Sequence, residues 1–200
     1  MKHTSAILRI TSQLVLPMAA IVLVLSAMNG RAADTDSDTL PDDWELAKFG
    51  SLYYGTNDDP DGDTLDNSSE YYFGSHPWIA DTDSDSLGDS IEYWYSFNPN
   101  SSDSDSDGLT DGDEYFNHGT NPGSPDTDSD GINDYDELNV WSSNPLWADT
   151  DTDYMPDGWE LLYFGTPTAA DPGLDEDGDQ TSNLNEYAYS TNPLDPLSHP

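Results

Sequence analysis

Residues 103–114 read Asp-Ser-Asp-Ser-Asp-Gly-Leu-Thr-Asp-Gly-Asp-Glu. Oxygen-bearing acids stand at positions 1, 3, 5, 9 and 12 of this stretch: Asp103, Asp105, Asp107, Asp111 and Glu114. That spacing lets one loop wrap its side chains around a hard cation taking six to eight oxygen ligands, and calcium is the cation it suits. The pattern recurs in register six more times. Before it come Asp34, Asp36, Asp38, Asp42 and Glu45, then Asp59, Asp61, Asp63, Asn67 and Glu70, then Asp81, Asp83, Asp85, Asp89 and Glu92. After it come Asp126, Asp128, Asp130, Asp134 and Glu137, then Asp149, Asp151, Asp153, Asp157 and Glu160, then Asp175, Asp177, Asp179, Asn183 and Glu186. One copy is weak support for metal binding; seven in register are strong.

The charge balance follows from those loops. The 200-residue chain has 41 acids and four Lys or Arg, for a formal net charge of −37. Lys2, Arg9 and Arg31 lie in the first 31 residues, so Lys48 is the only basic residue beyond Ala32 and that region carries −40. Of the 41 acids, 33 occupy loop ligand positions, so the charge is mostly ligand rather than solvated tail. Seven divalent ions would bring −40 to −26, which still repels phosphate polymers and excludes a nucleic-acid-binding role.

Residues 1–32 read as a secretory signal peptide, with Lys2 and Arg9 ahead of an apolar run from Leu14 to Met28. Gly30 and Ala32 put small residues at −3 and −1 of a cut after Ala32. The run is shorter than the roughly 20 residues that span a bilayer, so no membrane span is expected once the signal is removed. The expected location is outside the cell or on its surface. With no Cys in the chain, calcium would do the stapling that disulfides do in many small exported proteins.

Loop starts are 25, 22, 22, 23, 23 and 26 residues apart, a period that marks an array over residues 33–193 followed by a tail, 194–200. A longer repeat is superimposed: LPDDWELAKFG of the first loop returns as MPDGWELLYFG of the sixth, 115 residues on. After each Glu comes a short apolar and aromatic stretch, such as Tyr71 to Phe73 or Leu161 to Phe164, read as one or two helical turns with the position-9 residue at the helix N-terminus. Asn98-Pro99, Asn121-Pro122, Asn144-Pro145 and Asn192-Pro193 are read as helix stops. Helices this short are marginal alone, so their aromatics are expected to form a small core between adjacent loops.

Position 6, where a sharp left-handed turn favours Gly, holds Thr39, Thr64, Ser86, Gly108, Gly131, Tyr154 and Gln180. The loops without Gly are therefore expected to turn differently or to bind more weakly. Thr181 replaces the apolar residue of position 7 in the last loop, which ranks weakest; the loops at Asp103 and Asp126 rank strongest.

Segments such as DSDSDGLTDGDE and DTDSDGINDYDE, each followed by aromatics and then GTNP or SSNP, resemble thrombospondin type 3 repeats of the cysteine-free bacterial kind. The resemblance covers residues 34–193. It implies an elongated, calcium-stabilised array of EF-hand-like loops, each followed by a short helix, mostly irregular and with little or no β-sheet. It also implies a spacer, stalk or adhesion role in a secreted or surface protein. A more distant likeness is to dockerin modules, which pair two such loops and dock on a protein partner.

The function expected from all this is calcium binding by a non-enzymatic, exported array of about seven sites, with an affinity near the extracellular end of the scale, on the order of 10⁻⁴ to 10⁻³ M. The alternative is a calcium-dependent module that recognises protein or carbohydrate through its aromatic rows. An enzyme is disfavoured, because His76, His118 and His199 are the only histidines beyond residue 32 and paired carboxylates are already assigned to ions. The sequons at Asn67 and Asn100 would matter only in a host that glycosylates them.

Overall fold

A computed structural model of the chain describes residues 33–198. The expected signal peptide and His199 lie outside that span. Seven short helices succeed one another: α1 Asp42–Lys48, α2 Asn67–Phe73, α3 Asp89–Tyr95, α4 from Asp111 to Asp113 and on through a π turn Glu114–His118, α5 from Asp134 to Asp136 and on through a π turn Glu137–Trp141, α6 Asp157–Phe164, and α7 Asn183–Tyr189. Among the described residues there is no strand, only an isolated bridge between His76 and Ile79. None of these helices is long and apolar enough to cross a membrane.

Each helix starts at position 9 of its loop, as the sequence indicated, because the residue before it is extended and the first free N–H groups find acceptors. Asp66, Thr110 and Asn133 supply side-chain caps to Ser69, Asp113 and Asp136. The helix ends differ from expectation. Six of the seven fall at left-handed residues, Gly74, Ser96, Gly119, Ser142, Gly165 and Ser190, the first at right-handed Phe49, and none at the Asn-Pro pairs. The Asn instead builds the next turn: Asn98, Asn121, Asn144 and Asn192 each accept from the N–H two residues on.

The core is also not the expected one. The aromatics after each Glu are half-buried or exposed, with Tyr72 78% and Trp94 79% accessible. The buried apolar side chains are the position-7 residues Leu40, Leu65, Leu87, Leu109, Ile132 and Met155, joined by Ala170 and by Pro77, Pro99, Pro122, Pro145, Pro167 and Pro193. One aliphatic residue in each of the first six loops therefore sits inside, close to the chain reversal. Buried polar side chains still outnumber apolar ones, 17 against 13, and 14 of the 17 are the residues at positions 9 and 12. The interior of this protein is built from acids.

Contacts run between neighbours along the chain. No side-chain hydrogen bond among the described residues joins positions more than 28 apart. Links at that range tie one loop to the next: the second carboxylate oxygen of Asp85 accepts from Gly112 N–H at 2.8 Å, that of Asp107 from Tyr135 at 3.1 Å, and that of Asp130 from Gly158 at 3.0 Å. In each case a position-5 carboxylate caps the first turn of the next helix. This nearest-neighbour pattern is that of a repeat array. Residues 194–198 turn back so that Ser198 Oγ accepts from Asn192 N–H.

Candidate metal centres

All seven loops adopt one backbone path. The position-1 carboxylate accepts from the N–H of position 6 in every loop, through Asp34, Asp59, Asp81, Asp103, Asp126, Asp149 and Asp175. The position-5 carboxylate accepts from the N–H of position 7 in every loop, at 2.7 to 2.9 Å. Position 6 is left-handed throughout: Thr39 at φ 88°, Thr64 at 86°, Ser86 at 86°, Tyr154 at 78° and Gln180 at 80°, beside Gly108 and Gly131. The five loops without Gly therefore turn as the Gly loops do, contrary to expectation. The hydrogen bonds to positions 1 and 5 over-determine the turn, and a β-branched Thr there bears strain.

The turn gathers the acids. Carboxylate oxygens of Asp34, Asp36 and Asp38 lie within 4.8 Å of one another, as do those of Asp59, Asp61 and Asp63, of Asp81, Asp83 and Asp85, and of Asp103, Asp105 and Asp107. In the first loop Asp36, Asp42 and Glu45 also meet within that distance, so helix α1 aims its first residue and its Glu back at the loop.

The seven position-12 glutamates decide the chemistry. Each is completely buried. Both oxygens of Glu45, Glu70, Glu92, Glu114 and Glu186 lack any hydrogen-bond partner, as does one oxygen each of Glu137 and Glu160. The remaining oxygens accept from Ser143 Oγ and from Ala170 N–H. Beside them the second oxygens of Asp61, Asp83, Asp105, Asp128 and Asp177, and of Asp63, Asp153 and Asp179, are buried and unpartnered too. Burying an unpaired carboxylate is among the most expensive arrangements in a protein. Burial first, and the loop aspartates second, push Glu70, Glu92, Glu137 and Glu160 up to about 8. Glu114 stands there for the same main reasons, while Glu45 is raised to about 7 and Glu186 to about 6. Asp63, Asp83, Asp105 and Asp128 rise to about 6, again chiefly through burial. A divalent ion among these oxygens removes both penalties, and the donor set fits it: all oxygen, no His or Cys, flexible in geometry.

Position 9 has a second task that spacing did not reveal. The oxygens of Asp42, Asp89, Asp111 and Asp134 accept from the backbone N–H and the hydroxyl of position 2: Thr35, Thr82, Ser104 and Thr127. Asp157 accepts from Thr150 N–H. In the two loops where position 9 is Asn, it donates instead, Asn67 to Gly55 O and Asn183 to Asp171 O, and position 2 is Pro60 or Glu176. That covariation of positions 2 and 9 was readable in the sequence. The position-2 hydroxyl also receives the N–H of His76, Asn98, Asn121 or Asn144, joining each loop to the turn before it.

No protein-family model matches this chain, and neither a curated protein nor a solved structure matches it. The likeness to thrombospondin type 3 repeats rests on the motifs themselves. Of the histidines, His118 pairs with Asp113 at 3.5 Å, and His76 sits in the turn that leads into the third loop.

Proposed function

We propose that the chain is a non-enzymatic, calcium-binding repeat protein of the thrombospondin type 3 kind. Its seven loops hold about one ion each, and the bound ions set its folded form. The observation that carries this reading is the burial of seven glutamates, each with at least one carboxylate oxygen that has no hydrogen-bond partner, beside clusters of aspartate. Six buried aliphatic side chains at position 7 are too few to offset the entropy of ordering a chain of this length, so ion binding supplies the difference. Affinity near a millimolar suits export to a calcium-rich space, where the array serves as a rigidified spacer or adhesive stalk.

Isothermal titration of metal-stripped residues 33–200 with calcium tests the reading. Uptake of about seven ions, with magnesium binding far more weakly, supports it. A chain that takes up no calcium at several millimolar refutes it.

A further inference from the structure

The two ends of the array are duplicates in three dimensions, and their difference is informative. In the first pair of loops Trp44 meets Phe49 and Tyr71, with ring centroids 5.5 Å apart in each case. In the last pair Trp159 meets Phe164 at 5.7 Å and Tyr187 at 5.6 Å. The backbone bonds correspond as well: Asn67 Nδ2 to Gly55 O matches Asn183 Nδ2 to Asp171 O. This trio is common to the two-loop units at both ends. The first pair then adds Tyr53, Tyr54 and Trp78, where the last pair has Ala169, Ala170 and Leu194. The same unit therefore forms without those three rings.

The added rings are contiguous, with Tyr53 and Trp78 exposed and Tyr54 between them half-buried. Tyr53 is 83% accessible and Trp78 44%. Tyr53 and Tyr54 stand perpendicular with centroids 5.4 Å apart, Tyr54 and Trp78 nearly perpendicular at 5.1 Å, and Phe49 closes the group at 4.9 Å from Tyr54. Tyr53 and Tyr54 wall an open groove whose other sides are Asp58, Asp59 and Pro60. Asp58 lies outside the repeated ligand pattern. Crossed aromatic faces present negative quadrupole to a common space, and a carboxylate beside them adds full negative charge; a cation is the complement of both.

We infer that this face docks a Lys- or Arg-bearing segment of another protein, with the cationic side chain between Tyr53 and Tyr54 and its charge met by Asp58. The charge beyond Ala32, −26 even with seven divalent ions bound, draws such a partner from a distance, and the aromatic walls give the contact its place. A second copy of the chain is a poor occupant, since Lys48 is the only basic residue beyond Ala32. The inference holds whichever cation fills the loops.

The test titrates the calcium-loaded chain at physiological ionic strength with a short Gly-Arg repeat peptide, its citrulline counterpart and a neutral glucan oligosaccharide. The Arg peptide is expected to bind and the citrulline peptide not. Tyr53→Ala with Tyr54→Ala is expected to weaken the Arg peptide about tenfold or more, and Tyr189→Ala, at the other end, to leave it unchanged. Circular dichroism checks that each variant folds, and Asp58→Asn, which leaves every aromatic ring in place, gives a second reading with an expected several-fold loss. Equal affinity across all variants means diffuse polyelectrolyte attraction and overturns the proposal. So does glucan binding that is lost in the same variants, which makes the face a sugar platform. Failure of calcium uptake would sink the reading of the loops and leave this result standing on its own.

Discussion

At the scale of single residues, the position-12 glutamate is the most consequential side chain in each repeat. Glu114→Gln keeps the shape and removes the charge, and it should weaken calcium binding at the fourth loop by more than about tenfold while the distant loops stay unchanged. Calorimetry on the variant reads this as one weakened or lost site out of the set. Protonation gives a second handle. Glu70, Glu92, Glu114, Glu137 and Glu160 stand near 8 in the metal-free fold against 4.5 for free glutamate. A raised carboxyl binds its proton more tightly folded than unfolded, so its contribution favours the metal-free fold at low pH and is lost as pH climbs from about 4.5 through about 8. Calcium displaces those protons. Its addition at pH 7 should therefore release protons, and apparent affinity should fall between pH 8 and pH 6, both measurable in buffers of differing ionisation enthalpy. Affinity that is flat across that window contradicts the buried, partnerless state of these acids. Glycine makes a third residue-scale point. A Cβ on Gly158 would lie 2.1 Å from Asp130 O and one on Gly112 2.3 Å from Asp85 O, whereas one on Gly178 meets nothing at φ 82°. Gly158→Ala should thus destabilise the loaded protein by about 1–3 kcal/mol. Gly178→Ala should act through backbone conformation alone, at about 1 kcal/mol, with thermal melts in calcium separating the two.

At the scale of elements, the helices are seven or eight residues long, and the two with π turns depart from α geometry after three residues. None persists on its own propensity. What fixes each is its own loop at the N-terminus and, for α4, α5 and α6, the preceding loop as well. Asp107 divides its oxygens between Leu109 N–H in its own loop and Tyr135 N–H at the start of α5. Asp63 has the same bond to Leu65, but its second oxygen reaches no neighbour. Asp107→Ala should therefore lower calcium affinity in two loops, its own and that of α5, whereas Asp63→Ala should lower it in one. Site-resolved NMR titration distinguishes the cases, and equal damage from both would show that the link to Tyr135 carries no coupling. The helices and their start at position 9 were legible from periodicity, and the near absence of sheet was implied by the resemblance to thrombospondin type 3 repeats. Their ends were not, because a left-handed Ser such as Ser96 or Ser142 has no distinctive sequence signal, whereas the Asn-Pro two residues later does.

At the scale of the whole molecule, the proposed function makes folding and ion binding one process. Chelator above about pH 8, where the buried glutamates are ionised, should strip residues 33–200 to an expanded chain with little helical dichroism, and calcium should restore helix and compaction together, with a midpoint near a millimolar. Scattering and circular dichroism that stay unchanged in chelator would show that the small apolar row at position 7 suffices. The loop at Asp175 should empty first on dilution of calcium, since Thr181 replaces the apolar anchor and position 9 is the uncharged Asn183.

The sequence by itself determined the seven loops, the acids at positions 1, 3, 5, 9 and 12, the short helices and the repeat, because these are local and recur at fixed spacing. It pointed to the wrong core. Aromatics are the largest apolar side chains and invite burial, but each helix packs its Glu rather than its rings against the loop, so the interior went to Leu87, Met155 and their equivalents together with the acids. Only the tertiary structure decided how position 9 is held, which carboxylates reach the next helix, and that Thr39, Tyr154 and Gln180 turn as Gly does. Those outcomes depend on distances between residues remote in the chain and on hydrogen bonds strong enough to override local preference, and residue identity at one position encodes neither.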